Sequence, residues 1–556
     1  MQLNLNSRVH DLYSHPLGRD IIDKLLLQMG QPDWPIDKLS SHRLKSLKNF
    51  AGRKVNPQFF NAILDVINAQ PDIPSSDEAA HIPAWWKEAV FYQVCPRSFT
   101  QEGIQGLIRR LDYLKALGIT ALSLTPVYDT PGGYNSCGIR DYYSTARDLG
   151  TLYDMDALIA ELHRRGMKLV MDMVVNHTSH EHIWFQEALR DERSPYRDFY
   201  IFRKGRGSAP PNNWTSPLGG PAWEYYPHQD IWALCLFSNK QMDLNWESPA
   251  LRHEIHRIVR WWLAKGVDGF ILDVVNYISK YDGLPDGDEF IGELMQNTGM
   301  ERYFFGPRLH EYLRELKYEV FIPYNAVSVG EALGIGPMAG RLLTDAYRDE
   351  LDLILSTDHL DVPGKTPDDD YEYDLMHLKN FYVNRLNLDE GHGWHTLFFN
   401  KPDSPRMLSK IDPAGEFTVP LAKLLAVLQM TLRGTPFIFQ GDEIGTCSHG
   451  GAMMEWDEVD RQQDDQKSIL QFYRRLLEWR KKTPACIYGA LEFMEVADER
   501  LFCYCRMHEE GNIFVEANLR SVVSTSANPQ GAIFVMGNYR NLVSEMQPYE
   551  VRVYVY

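Results

Sequence analysis

The chain has 556 residues, 44% of them hydrophobic and 24% charged, which excludes a disordered or fibrous chain and is ordinary for a globular, enzyme-sized protein. A formal net charge of -18 argues against a nucleic-acid partner or an anionic membrane surface. No apolar run reaches the roughly 20 residues of a membrane span, and the N-terminus MQLNLNSRVH has no signal-peptide core. The 7 cysteines are scattered without a CxxC pair, so reduced thiols, a cytoplasmic location and no zinc site are expected.

Residues 1–82 read as a helical region. Leu17, Ile21, Ile22, Leu25, Leu26 and Met29 recur at helical spacing, and a second helix is expected from Asn56-Pro57, carrying Phe59, Phe60, Ile63, Leu64 and Ile67. QPDIPSSDEAAHIP (70–83) reads as a linker. From Ala84 onward strands and helices alternate. Apolar strands are expected at 88–95, 119–126, 168–176, 268–275, 325–332, 352–358, 394–403 and 435–443, with helices at 104–117, 154–166, 248–265, 307–317, 374–390 and 417–433. Eight strands, each followed by a helix, imply an α/β fold, a (β/α)8 TIM barrel over 83–177 and 247–484. The stretch 178–246, rich in Trp, Pro, Gly and Asn, is too long for a plain connection and reads as a domain inserted after strand 3. Within it His180 and His182 are expected to face solvent rather than a metal. Residues 485–556 alternate apolar and polar positions, as in RLFCYCRM and EVRVYVY, which implies a C-terminal antiparallel β-domain.

Polar groups gather at the C-terminal ends of the barrel strands: Asn176 and His177, Asp273, Glu331, Asp358 and His359, Asp403, Asp442 and Glu443. Barrel enzymes keep their active sites on that face. A single acid of this kind more often ties a loop down, but a set on one face points to paired-carboxylate chemistry. Retaining glycoside hydrolysis needs two carboxyl groups about 5–5.5 Å apart, and Asp273 and Glu331 lie on adjacent strands.

Four blocks in order then resemble the α-amylase family of retaining α-glycosidases, in its oligo-1,6-glucosidase and sucrose-isomerase-like branch: DMVVNHTS (172–179), GFILDVVN (269–276), VGEA (329–332) and FFNKPDSPR (398–406). FYQVCPRSF, PNNW, DLNW and GTPFIFQGDEIG support the match, which covers roughly 84–556. The resemblance implies Asp273 as nucleophile, Glu331 as acid/base and Asp403 as the third acid gripping ring hydroxyls. It also implies that His177 and Arg406 line the sugar pocket. Val274, after the nucleophile, goes with 1,6-linkage preference in this branch.

Several positions depart from the family pattern. Ile271 stands where an arginine two residues before the nucleophile would orient it and keep it ionised. Pro402 replaces a histidine before the third acid. After strand 2, Cys137 and Gly138 align with a tyrosine and an aspartate that hold glucose hydroxyls; an alternative register on GYN (133–135) puts Asn135 at the acid. FTQEGIQGL (99–107) lacks the oxygen ligands of a calcium loop, so no calcium is expected there; with no Cys/His cluster for zinc and no GxGxxG or P-loop in the sequence, no metal and no cofactor is expected. Arg140 is a candidate to take over the missing guanidinium's role. The sequence therefore reads as a glycosidase or transglycosylase for small glycosides or oligosaccharides, with sugar specificity altered from an ordinary α-glucosidase. The alternatives are a sugar isomerase sharing the covalent intermediate and a catalytically degenerate binding protein. The N-terminal helices are a candidate surface for a homo-oligomer.

Overall fold

The computed structural model describes residues 2–31, 36–49, 57–70, 82–131, 137–345, 347–365, 369–385, 394–527, 531–540 and 542–556. Most of the linker, the start of the second N-terminal helix at Asn56, the GYN register at 133–135 and the end of the helix expected to reach 390 lie outside them. Among the described residues the longer N-terminal helices ahead of the barrel are α1 (Pro16–Gln28) and α2 (Pro57–Asn68). The barrel elements follow in chain order. They are β1 (Phe91–Val94), α3 (Gly103–Leu117), β2 (Ala121–Leu124), α4 (Leu152–Arg164), β3 (Lys168–Val174), α5 (Pro249–Lys265), β4 (Gly269–Asp273), α6 (Glu289–Met295) and α7 (Leu309–Leu316). Then come β5 (Val327–Glu331), α8 (Pro337–Thr344), β6 (Leu353–Leu355), α9 (Leu375–Arg385), β7 (Thr396–Leu397), α10 (Thr418–Thr431), β8 (Thr435–Phe439) and α11 (Ile469–Lys481).

The eight strands form one sheet in the order β6-β5-β4-β3-β2-β1-β8-β7. β1 pairs in parallel with both β2 and β8, and β4 pairs in parallel with β5. Strands that follow one another round the sheet, with the last beside the first, are the signature of a (β/α)8 barrel. All eight expected strands are present, each shorter than its apolar run.

Local signals set the helix ends. Thr151 and Asp154 form a reciprocal capping box on α4. The Ser248 hydroxyl caps α5, Pro249 opens it, and Gly266 closes it in the left-handed region at φ 108. The inserted segment holds a three-stranded antiparallel sheet in the order Phe202–Arg203, Ile231–Leu234, Trp223–Tyr226. His182 does not face solvent: it is buried, and its Nδ1 accepts from the Trp184 N–H at the start of helix Ile183–Arg190. The C-terminal domain is a five-stranded antiparallel sheet, in which Leu501–Met507 pairs with Ala490–Met494 and Ile513–Asn518. Among the described residues the seven cysteines form no disulfide. Among the described residues no helix is long and apolar enough to cross a membrane.

Two compact units partition the chain. The first comprises Met1–Ser75, Pro126–Arg147 and Asp172–Ile354, so the N-terminal helices belong with β4 and β5. The second comprises Ser76–Thr125, Asp148–Met171 and Leu355–Tyr556.

Candidate active site

In the first unit, β4 and β5 run side by side with Gly269 opposite Val327, Ile271 opposite Val329 and Leu272 opposite Gly330. Continuing that register by one residue sets Asp273 level with Glu331, each the last residue of its strand and each half-buried. Neighbouring strands lie about 4.8 Å apart and level residues point to one face, so the two carboxyl groups share a face at the strand ends. Ile271 shares the face of Asp273, being two residues back, and is fully buried. Immediately after Asp273 the chain turns through Val274 at φ 39, ψ 43. A β-branched residue in the left-handed region costs about 1–3 kcal/mol and marks a turn that its surroundings enforce. Asn276 then donates from Nδ2 to the Leu333 carbonyl at 3.1 Å, joining the segment after Asp273 to the segment after Glu331.

His177 is buried at the end of the third strand's extension. His177–Ser179 pairs with Gln241–Asp243 of the inserted segment, and the His177 Nε2 lies 3.2 Å from the Gln241 amide nitrogen. Burial pushes the imidazole down to about 4; Asp243 opposes this and the Lys280 ammonium reinforces it. The ring is therefore neutral near pH 7. Lys280 was not foreseen as a site residue. Its ammonium, almost fully buried, donates to Asn176 Oδ1 at 2.9 Å and pairs with Asp243 Oδ1 at 2.9 Å. Asp243 also accepts from Asn176 Nδ2 at 3.0 Å and from the Leu236 N–H at 2.8 Å. This knot fastens the strand end that bears His177 to the inserted segment and to the stretch after Asp273. Burial pulls the lysine below its ordinary range, opposed by Asp243. The sequence signal was a lone cation in the apolar VVNYISK.

Arg140 pairs with the carboxylates of Asp129 and Glu181. Its Nε and Nη2 donate to Asp129 at 2.7 and 2.8 Å, and Nη1 donates to Glu181 at 3.3 Å. Cys137 is half-buried and Gly138 buried.

In the second unit, Asp403 is exposed in the turn after β7. Arg406 is buried and gives Nη1 to Asp442 Oδ1 at 2.8 Å and Nη2 to the Gln440 carbonyl at 2.7 Å. Asp442 also accepts from Asn400 Nδ2 at 2.8 Å and the Phe439 N–H at 3.0 Å. Burial raises its carboxyl to about 6, held back by Arg406. Glu443 accepts from Tyr92 and Tyr113 hydroxyls at 2.8 and 2.7 Å. The His359 ring donates to the Phe398 carbonyl at 2.7 Å. Asp442, Glu443 and His359 thus tie loops together at the strand ends. Among the described residues no group of three or more His, Cys, Asp or Glu is arranged to hold a metal ion.

Residues 93–458 match the family described as alpha amylase, catalytic domain. An oligo-1,6-glucosidase of Halalkalibacterium halodurans is 34% identical, spanning 85% of this chain and 99% of that relative. A trehalose-6-phosphate hydrolase of Bacillus subtilis is 40% identical over 65% of each chain. Among solved structures, the trehalose-6-phosphate hydrolase TreA of Bacillus licheniformis superposes with a TM-score of 0.78 at 31% identity, covering 85% of this chain and 100% of that one. The trehalulose synthase MutB of Pseudomonas mesoacidophila does so with a TM-score of 0.76 at 30% identity and the same coverage.

Proposed function

The chain belongs to the α-amylase family, and from that premise we propose that it is a retaining α-glycosidase for small glycosides with a rebuilt sugar subsite. Its relatives and neighbours make it an α-glycosidase or a sugar isomerase. The observation that carries the finer reading is the β4–β5 register, which continues to set Asp273 beside Glu331, because retention requires two close carboxyl groups.

In the proposed cycle, an Asp273 carboxylate oxygen attacks the anomeric carbon while Glu331 gives its proton to the departing glycosidic oxygen. The glycosidic bond breaks, and an ester joins the sugar to Asp273. Glu331, now a carboxylate, takes a proton from water, whose oxygen attacks the anomeric carbon and releases Asp273. If an acceptor hydroxyl replaces water, the same steps give transfer or isomerisation. Asp403 steadies the ring hydroxyls as positive charge grows on the sugar, and neutral His177 supplies a hydrogen bond to the sugar without repelling that charge. Ile271, Pro402 and Gly138 stand where the family pattern holds glucose. Their replacement in sequence blocks that keep Asp273, Glu331 and Asp403 supports a sugar other than plain terminal α-glucose.

The test is a panel of aryl α- and β-glycosides of varied sugars, run with wild type and Asp273→Asn. Turnover of an α-glycoside, reduced at least ~1000-fold in the variant, is expected. No turnover by either protein across the panel would sink the proposal in favour of a binding protein, and equal turnover by both would remove Asp273 as the nucleophile.

A further inference from the structure

The N-terminal helices precede the family match, which begins at residue 93, yet they are fastened to the two segments that leave β4 and β5. Phe59, Phe60, Ile63 and Ile67 of α2 share one apolar core with Phe290, Ile291, Leu294 and Met295 of α6, on the segment that follows Asp273. Gln70 donates to the Phe305 carbonyl at 3.0 Å, and its carbonyl oxygen lies 2.9 Å from His310 Nε2. Arg302 pairs with Asp65 at 3.1 Å. α1 packs on α8, the helix that follows Glu331.

The contact to α8 is specific. α8 begins after Gly336, which offers no side-chain cap, so its first-turn N–H groups need acceptors from elsewhere. Asp20, buried on α1, accepts from the Ala339 N–H at 2.6 Å through Oδ2. Ala339 is the third residue of α8, the donor that an N-cap side chain ordinarily takes. A carboxylate at this end also complements the helix dipole. A Cβ at Gly336 would lie 2.6 Å from the Asp20 carboxyl carbon, so glycine at this position leaves room for a cap that arrives from α1. Between Glu331 and α8 the chain is 332–336 alone, with Leu333 held by Asn276.

We propose that Asp20 is a positioning residue for the acid/base: the N-terminal region, by capping α8, fixes the segment that sets the approach of Glu331 to the leaving-group oxygen. The proposal rests on the reading of Glu331 given above. A misplaced acid slows departure of a poor leaving group and barely affects a good one, whereas a loss of folded protein slows both alike. Steady-state kinetics would therefore compare an alkyl α-glycoside with the α-glycosyl fluoride of the same sugar, which needs little protonation. Asp20→Ala is expected to lower kcat/KM, which reports formation of the ester and not its hydrolysis, at least tenfold on the alkyl glycoside and less than threefold on the fluoride. Asp20→Asn, which still offers an acceptor to Ala339, restores most of the loss. Gly336→Ala, which displaces the carboxylate and leaves the N-terminal core whole, reproduces the selective defect if Asp20→Ala does not fold. Equal losses on the two substrates in Asp20→Ala or Gly336→Ala, beside a selective loss in Glu331→Gln, would overturn this inference alone. No selectivity in Glu331→Gln itself would instead overturn the acid/base assignment.

Discussion

Restoring the family's arginine at position 271 should damage the protein without creating an α-glucosidase. Ile271 is 1% exposed and lies level with Val329. Losing that burial costs about 1.5–3 kcal/mol, and taking a guanidinium out of water costs several kcal/mol more. Pairing with Asp273 would return about 1.4–4 kcal/mol, the worth of a carboxylate pKa lowered by 1–3. The balance is a destabilisation of about 3 kcal/mol, read as an earlier urea midpoint with an unchanged slope. On an aryl α-glucoside, Ile271→Arg is expected to change kcat/KM by less than tenfold, because Pro402 and Gly138 remain. A variant as stable as wild type and more than 100-fold faster on that substrate would refute the rebuilt-subsite argument.

Two further perturbations test the supports of the site. Lys280→Met leaves the fully buried Asp243 without its cation and should cost about 3–5 kcal/mol, measured by urea unfolding; a loss below 1 kcal/mol would remove the knot from the account. His177, His182, His256 and His359 are each pushed down to about 4 by burial, so each stays neutral when the unfolded chain begins to protonate near 6.5. Their stabilisation is complete above 6.5 and is lost as pH falls toward 4, about 3 kcal/mol for each. Asp442, raised to about 6, works in the opposite direction between its unfolded value and 6. The expected net result is a urea midpoint that drops from pH 7 to pH 5, with a shallower drop in His359→Gln; a midpoint that rises on acidification would contradict it.

The barrel was legible because its strands are apolar runs of β-type residues punctuated by polar groups at their ends, and because the helices between them carry caps such as Thr151 and Gly266. The strand lengths were not. The run at 394–403 shortens to Thr396–Leu397, since Asn400 bonds the Met407 N–H and the Asp442 carboxylate and so draws the chain into a turn. Helix α8 was not foreseen: GPMAGRLLT is short and contains two glycines, and its cap is supplied by a residue 319 positions away. Among the candidate site residues, Asp273 and Glu331 could be placed on neighbouring strands because they end consecutive strands of the expected barrel. The partners of Arg140 and Arg406 could not be, since a guanidinium takes whichever carboxylate the fold brings near it, and here those are Asp129 and Asp442. Lys280 was missed for the same reason: its acceptors, Asn176 and Asp243, come from distant segments.

The covalent step is the central claim, and labelling tests it most directly. The protein would be incubated with the 5-fluoro-α-glycosyl fluoride of whichever sugar the panel identifies, then digested and mapped by mass spectrometry. The account predicts one glycosyl adduct, on the peptide containing Asp273 and at that carboxylate, and none in Asp273→Asn. An adduct on another residue, or turnover of the parent glycoside that proceeds with inversion and leaves no adduct, would contradict it.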